Sequence, residues 1–369
     1  MTEKVAKSKK RRAILPLSTR QTLFCVAATV ALALTYMHSD VATASMAKSI
    51  DICIYSLIPS LFPFMVLSEL LVSFGATSLI AKLAGRAFRF LFGISPAGAG
   101  AFIPGVLCGF PIGTRIALSL FERGEIDRRS LSHLLCFCNC PSPAFLIGAV
   151  GIGVFGSKKF GLLLFFCELI SSVILGIVFR LRFGSCAEYS PRSPAPVQDR
   201  GFCKIIVSAV KSSTDAMLSI CSFVIFFSAL GATVQVYLAA MPLPDSAASL
   251  IRGIFELTGG VFSLSLADAS APLFAAAIIG WSGLSIHFQF VSICAETKIN
   301  VLSYFLSKIL RSLLDVCIIF VLLQLFPCDF GSDTSAFLPV PYAPHLLSAI
   351  PLAVFTASAI SLLKKSKKG

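Results

Sequence analysis

The stretch GVLCGFPIGTR, residues 105–115, decides how we interpret the fold. It lies inside an apolar run, residues 95–120, that contains too much glycine and proline for one uninterrupted helix. A second glycine-rich run covers residues 250–280. We predict that each run folds back on itself as a helical hairpin, so that it begins and ends at the same side of the molecule.

The composition is that of a polytopic membrane protein. Of the 369 residues, 56% are hydrophobic and 13% are charged, and the mean hydropathy is +0.87. Soluble domains carry about 25% charged residues, so this composition excludes a soluble enzyme, a disordered chain and a nucleic-acid-binding domain. The net charge of +13 is divided into short clusters between apolar runs, as in basic cytosolic loops. The lipid bilayer is therefore a predicted partner, and nucleic acid is not.

The distribution of positive charge predicts the topology. If both glycine-rich runs are re-entrant hairpins, about eight helices cross the membrane and both termini are cytosolic. The three connections that then lie outside, residues 38–47, 240–249 and 327–345, contain no lysine or arginine. If the two runs were full spans, ten crossings would result and this segregation would be lost. We predict an all-α polytopic fold with two re-entrant hairpins.

The two halves of the chain repeat the same order of elements with opposite orientation. Each half has a span, a hairpin, a broken or short polar span, and a final span. Inverted repeats with discontinuous helices are typical of secondary transporters, whose sites lie near the midplane. The elements are residues 50–74, 95–120, 131–155 and 160–179 in the first half, and residues 216–239, 250–280, 284–296 and 301–326 in the second.

These repeats divide the chain into five segments. A basic N-terminus and a first transmembrane helix occupy residues 1–45, although Ala-Thr-Ala at residues 42–44 also resembles a signal-peptidase site. The other segments are a first gate-like repeat at residues 46–183, a cytosolic linker at 184–211, the inverted repeat at 212–326, and an external loop, last helix and basic tail at 327–369.

Four motifs resemble the sporulation integral membrane protein family (YlbJ-like). They are SLIPSLFPF at residues 56–64, GVLCGFPIGTR at residues 105–115, FCNCPSPAF at residues 137–145 and GWSGLSIHFQ at residues 280–289. The family carries nucleoside-recognition gate domains and is similar to concentrative nucleoside transporters. The resemblance implies a transporter in endospore formers, of the stage V sporulation type, that moves dipicolinate across the outer forespore membrane. Cys140 departs from the family, which commonly has a second asparagine there.

Candidate binding residues in the first half lie around the hairpin. Gly109 and Gly113 follow Gly105 at four-residue spacing, which suits either close helix packing or a hairpin tip whose N–H groups meet an anion. Thr114 and Arg115 come next. An arginine in a membrane is costly, and its guanidinium fork suits a dicarboxylate, although it could instead reach the membrane surface.

A second set of candidates in this half surrounds a pair of prolines. Pro141 and Pro143 interrupt the helix near the middle of its span, beside Asn139 and Ser142. This break is either a simple proline kink or one half of a binding site.

The second half adds polar residues beside its own glycines. Glu256, with Thr258 and Gly259, is predicted to couple to a proton or cation, or to pair with Arg115 or Arg252. His287 is either a satisfied core residue or a ligand, Gln289 is the better hydrogen-bonding candidate, and both follow Ser285. The predicted substrate-binding residues are Gly109, Gly113, Thr114, Arg115, Asn139, Ser142, Glu256, Thr258, Gly259, Ser285, His287 and Gln289.

We therefore predict a secondary transporter of a small anionic metabolite that works by alternating access. The alternatives are a carrier of nucleosides or other small solutes, and a membrane assembly or signalling component of sporulation that transports nothing. The predicted partner is a small-molecule substrate. Two protein partners are left open: a second copy of the chain, or another sporulation membrane protein. The expected location is the bacterial cell membrane, or more narrowly the outer forespore membrane.

Neither an enzyme nor a cofactor is predicted. The sequence lacks GxxxxGK[ST], so ATP does not drive transport within this chain, and it lacks HExxH and GxSxG. The cysteines at residues 136, 138 and 140 have no second pair of ligands nearby, so no metal site is expected. Coupling to protons or to sodium ions is left open.

Overall fold

The computed structural model describes residues 19–184, 202–239, 244–266 and 268–330, and these residues form only helices and the turns between them. The predicted basic N-terminus, most of the cytosolic linker, and the last helix with its basic tail lie outside the described residues. The predicted external connection at residues 240–249 lies partly outside them.

The described part of the chain begins with two helices that meet at a sharp bend. Helix α1 is Thr19–Met37, and α2 is Ser39–Ile52, at 92° to it. A π-helical turn, Cys53–Leu57, joins α2 to α3, Ile58–Ser73. We predicted a connection at residues 38–47, but α2 covers most of it, because no glycine or proline ends the helix there.

An amphipathic helix follows α3 at an angle of 83°. This helix, α4, is Ala76–Phe92. Its buried face carries Phe88 and Phe92, which pack against Phe102 and Phe137 with ring centroids 4.7–6.2 Å apart. The aromatic cluster fixes α4 against the first hairpin and the broken span behind it.

Hairpin 1 consists of α5, Ala99–Cys108, and α6, Ile112–Glu122. Its two arms pack together through glycines, since a Cβ added to Gly105 would lie 2.9 Å from the Gly113 Cα. At the tip, Gly109 has a φ of +83°, a conformation that favours glycine, and an added Cβ would lie 2.6 Å from the Ser142 nitrogen.

The next span is broken in the middle. Helix α7, Arg128–Leu135, ends before an unwound segment, residues 136–142, which we call the first break. A π-helical segment, Ala144–Ile152, resumes the span, and α8, Lys158–Phe183, returns beside it. The break contains Pro141, and Pro143 follows directly; neither has an N–H to donate to a preceding turn.

The second half begins with the 37-residue helix α9, Phe202–Leu238. Residues 202–211, which we assigned to the linker, form its first turns. Hairpin 2 follows, and its arms are α10, Asp245–Phe255, and α11, Leu257–Phe262. A Cβ added to Gly260 would clash with the backbone of Gly253, so the two arms meet closely at these glycines.

The predicted extent of hairpin 2, residues 250–280, is wrong. The hairpin is complete at Phe262, and Asp268 then holds a turn by accepting hydrogen bonds from the Ser270 N–H and Oγ. The remaining residues belong to a broken span made of α12, Ala271–Trp281, and α13, Gly283–Ile293. The predicted short span at residues 284–296 is therefore only the second part of a longer one.

The second break lies between α12 and α13. Ser282 and Gly283 there have φ values of 75° and 78°. Ser282 is the only residue other than glycine with a positive φ in the described part of the chain. The last described helix, α14, is Val301–Leu325, and it packs against α8 and α12.

Three helical stretches in the described residues are long and apolar enough to cross a membrane: Lys158–Phe183, Phe202–Leu238 and Ala271–Ile293. Counting each of two bent helix pairs as one span raises the number to five, so the predicted eight spans are not confirmed. Helix α14 has sufficient length, about 20 residues being needed, but it carries three charged side chains.

Candidate functional site

The three charged side chains of α14 lie on one face and are all buried. They are Lys308, Arg311 and Asp315, with exposed fractions of 1%, 0% and 1%. Arg311 Nη1 lies 2.9 Å from Glu168 Oε2 on α8, and Asp315 also interacts with Glu168. Two cations and two carboxylates thus form a formally neutral group, which we call the charged cluster. Pairing of this kind is needed because an isolated charge is costly to bury.

Arg311 also contacts the first break. Its Nη2 donates to the Phe137 carbonyl oxygen at 3.2 Å, and its Nη1 lies 3.3 Å from Cys140 Sγ. Cys140, which occupies the position where the family commonly has asparagine, therefore contacts the charged cluster through its sulfur. The Cys140 Sγ also lies 3.0 Å from Ser172 Oγ on α8.

Lys308 connects the two breaks. Its Nζ donates to the Asn139 carbonyl oxygen in the first break and to Ser282 Oγ in the second, each at 3.0 Å. The same nitrogen lies 4.6 Å from the ring centroid of Phe110, at the tip of hairpin 1. Since an ammonium has three N–H donors, Lys308 has one partner for each.

Sequence reasoning missed both cations of the charged cluster. Glu168 and Asp315 lie inside apolar runs, where the sequence alone does not distinguish them from other isolated polar residues. The available signal was the spacing of residues 308, 311 and 315, which places three charges on one face of an apolar helix. Charges at that spacing inside a transmembrane helix indicate a buried partner.

The structure brings the predicted residues of the first half together. Thr114 Oγ1 donates to Asn139 Oδ1 at 2.7 Å, which ties hairpin 1 to the first break. Gly109 lies against Ser142, and Gly113 lies against the Cys138 carbonyl. These contacts favour the packing interpretation of the glycines. Ser142 Oγ accepts the Phe145 N–H at 3.2 Å and so caps the π-helical segment.

Glu256 forms the tip of hairpin 2 and caps α11. Its carboxylate accepts the N–H groups of Thr258 and Gly259, at 2.9 and 2.6 Å, and the side chain is buried. Glu256 does not pair with Arg115, which binds elsewhere. Arg252 is close enough for electrostatic attraction, and its guanidinium donates to Gln235.

Arg115 forms an ion pair that the sequence did not predict. Its Nη2 lies 2.9 Å from Glu69 Oε1 on α3, and its guanidinium donates to the backbone oxygen and the hydroxyl of Ser212 on α9. Helices α3, α6 and α9 are thereby joined at one point. The Arg115 side chain remains 21% exposed, so it is accessible from an adjoining cavity.

That cavity has a volume of about 340 Å³ and lies between hairpin 1, α9 and α13. Two charged side chains, Arg115 and Asp215, and the amide side chain of Gln289 are among those that line it. Within the described residues, the buried Gln289 Nε2 and the buried Ser285 Oγ find no hydrogen-bond partner. These two residues lie one turn apart on α13, so that face of the helix offers unused polar groups.

His287 lies on a different face of α13 from Gln289. Its Nδ1 is 3.3 Å from the Tyr304 hydroxyl, and its ring packs 4.4 Å from the ring of Trp281 and 4.9 Å from that of Phe305. This aromatic environment favours the interpretation of His287 as a core residue, although its buried Nε2 also finds no hydrogen-bond partner among the described residues. In the part of the chain that the structure describes, no group of three histidine, cysteine or acidic side chains is placed to hold a metal ion.

A second cavity, of about 790 Å³, lies where α7, α8 and α14 meet. Its lining includes Arg128, Arg129 and Lys298, against one carboxylate from Asp127. The excess of positive charge would attract anions to this cavity.

Comparison with known proteins finds similarity to one protein family and to one sporulation protein. Residues 54–158, which contain hairpin 1 and the first break, match the Gate family, described as nucleoside recognition. The chain is 28% identical over 288 residues to the sporulation integral membrane protein YlbJ of Bacillus subtilis (strain 168), covering 69% of this chain and 70% of that protein. No solved structure matches significantly. Neither match is to an enzyme. The resemblance to YlbJ-like sporulation integral membrane proteins is thereby confirmed, and the apolar helices agree with an integral membrane location.

Proposed function

We propose that the protein is a secondary transporter that moves a small polar metabolite by alternating access. The observation that carries this proposal is the cavity of about 340 Å³, where Arg115 of hairpin 1 and the unpartnered amide of Gln289 meet. Binding sites built where discontinuous helices meet are typical of secondary transporters. The similarity to the Gate family and to a sporulation integral membrane protein supports the same class.

An inverted repeat is part of this proposal, and the two halves support it in two ways. Each hairpin packs its arms through a pair of glycines, Gly105 with Gly113 and Gly253 with Gly260. Each hairpin tip also lies against the break of its own half. Gly109 lies against Ser142 in the first half, and Leu257 lies against Gly283 in the second. We propose that the halves are related by a pseudo-two-fold axis in the membrane plane.

An aromatic dicarboxylate such as dipicolinate is the first candidate for the cargo. Arg115 presents a planar fork that matches a carboxylate, and this fork is now occupied by Glu69. We propose that a substrate carboxylate replaces Glu69, which releases α3 from α6 and opens the cavity. In that case the outer forespore membrane is the expected location.

A nucleoside is the second candidate, and the charge of the cavity favours it. Asp215 lines the cavity, and Glu69 already neutralises Arg115, so the lining carries no excess of positive charge. The amide of Gln289 and the hydroxyl of Ser285 suit a neutral, hydrogen-bonding solute. The match to the Gate family supports this candidate as well.

Flux into proteoliposomes separates these candidates. Labelled dipicolinate and labelled uridine would be offered to the purified full chain, with and without an imposed proton or sodium gradient. We expect saturable uptake of one of them, and loss of that uptake in Arg115→Gln. Arg123→Gln is the matched control, because Arg123 pairs with Glu125 beyond the end of α6. Absence of flux for both would favour an assembly or signalling role, and flux of either without an effect of Arg115→Gln would exclude this cavity as the site.

The topology of α9 tests the inverted repeat separately. Accessible tags inserted after Gly184 and after Ala239 should be labelled from opposite sides of the membrane. Labelling of both from one side would contradict the repeat, whatever the flux experiment gives.

A further inference from the structure

The environment of Lys308 is that of a bound cation. Both oxygens that it contacts lie where helices have been interrupted: Asn139 in the unwound segment after α7, and Ser282 at the C-terminal end of α12. The Asn139 atom is a backbone carbonyl oxygen, and carbonyl groups at a helix C-terminus lack intrahelical donors and carry partial negative charge; the Ser282 atom is a side-chain hydroxyl oxygen. In transporters with broken helices, oxygens in these positions bind sodium ions or protons.

The formal charge of the surroundings also favours a cation at this position. Without Lys308, the charged cluster would consist of Arg311, Glu168 and Asp315, with a formal charge of −1. The Lys308 ammonium restores neutrality in a region from which solvent is excluded. The Phe110 ring, 4.6 Å from Nζ, adds the attraction of an aromatic face for a cation.

We propose that the Lys308 ammonium is a tethered substitute for a monovalent metal ion: it fills a cation site formed by Asn139, Ser282 and the Phe110 ring. The protein therefore takes up no sodium at the junction of its two breaks. This inference rests on the proposed function in one respect. If the protein is a transporter, a site already filled by Lys308 means that sodium binding at this position does not drive transport. Its test measures ion binding and does not depend on transport.

The variant Lys308→Met removes the charge but keeps most of the side chain's volume. Thermal unfolding of the purified full chain would be compared in sodium, lithium, potassium and choline chloride at equal ionic strength, and in methylammonium chloride. We expect the wild type to have the same Tm in sodium and in choline. The variant should have a lower Tm that sodium or methylammonium raises saturably, by about 2 °C or more.

Lys159→Met is the matched control. Lys159 is an exposed lysine whose Nζ donates to the Pro327 carbonyl oxygen, so its loss should create no response to sodium. A saturable, sodium-specific rise in the wild-type Tm would overturn the proposal. So would a folded Lys308→Met protein that responds to none of the small cations. If Lys308→Met does not fold, Lys308→Gln takes its place. The comparison of the wild-type Tm in sodium and in choline tests the proposal without either variant. A lack of transport by the same preparation would count only against the proposed function.

Discussion

Arg311 and Glu168 form an ion pair 2.9 Å long although they lie 143 residues apart in the sequence and both are excluded from solvent. Breaking such a pair leaves one uncompensated buried charge. We expect Arg311→Met to destabilise the protein by about 3–5 kcal/mol, measured as the change in the free energy of unfolding in denaturing detergent.

Two controls separate the effect of breaking the ion pair from the effect of losing the side chains. The double variant Arg311→Met with Glu168→Leu should recover much of the loss, because it leaves no orphaned partner of Arg311 behind. Disruption of the partly exposed pair Arg123–Glu125 should cost about 1 kcal/mol or less. If Arg311→Met cost no more than the exposed pair, the charged cluster would not stabilise the fold.

The ion pair between Arg115 and Glu69 leads to a prediction about affinity. If substrate carboxylates compete with Glu69 for the guanidinium, Glu69→Gln removes the competitor. We expect the apparent affinity for dipicolinate to rise about tenfold, since a hydrogen bond between charged groups is worth about 1.5–3 kcal/mol. Competition for labelled substrate in proteoliposomes or in detergent would measure it.

Glu125→Gln is the control for this change, since it removes a carboxylate partner of another arginine outside the cavity. Affinity for an uncharged nucleoside should not change in Glu69→Gln. Equal affinities for dipicolinate in the wild type and Glu69→Gln would contradict the competition.

The hairpin and the breaks of the first half were predictable because their signals are local. Gly109 and Pro111 lie at the turn between α5 and α6, and Pro141 and Pro143 lie where the span cannot continue as one regular helix. The end of hairpin 2 was not predictable in the same way. It depends on the turn held by Asp268, which composition alone does not separate from the surrounding glycine-rich run.

The charged cluster was missed for a physical reason of the same kind. Lys308 and Arg311 look like cations at a helix end until their partners are known, and those partners come from α8 and from two separate breaks. Gln289 was among the polar residues of interest in the sequence, but its position in the same cavity as Arg115 depends on the packing of α13 against hairpin 1. Whether it binds substrate stays a prediction.

Gln289 should separate function from stability. Its Nε2 is buried without a partner among the described residues, so replacement by leucine should leave the Tm unchanged or raise it slightly. The same change should weaken substrate binding about tenfold, because the bound solute loses one hydrogen bond. Thermal unfolding and substrate competition would be measured on the same preparation.

His287→Phe serves as the comparison because His287 lies on a different face of α13, among aromatic rings. We expect it to change the Tm and to leave substrate affinity unaltered. Weaker binding in His287→Phe with normal binding in Gln289→Leu would show that the wrong face of α13 had been chosen.

The paired glycines of the two hairpins should tolerate no side chain. A Cβ on Gly105 would lie 2.5 Å from the Cys138 carbonyl oxygen and 2.9 Å from the Gly113 Cα, and a Cβ on Gly260 would meet the backbone of Gly253. All of these neighbours are backbone atoms, which cannot move aside as a flexible side chain would. We therefore expect Gly105→Ala and Gly260→Ala each to destabilise the protein by about 1–3 kcal/mol, as overpacking does.

Gly148→Ala provides the matched control, since no atom lies within 4 Å of its added Cβ. The three variants would be compared by yield of monodisperse protein and by Tm. Similar losses in the two hairpin variants, with none in Gly148→Ala, would be expected if both hairpins depend on the same close approach of their arms. Tolerance of alanine at Gly260 but not at Gly105 would mean that the halves are not equivalent in packing, which would count against the proposed inverted repeat.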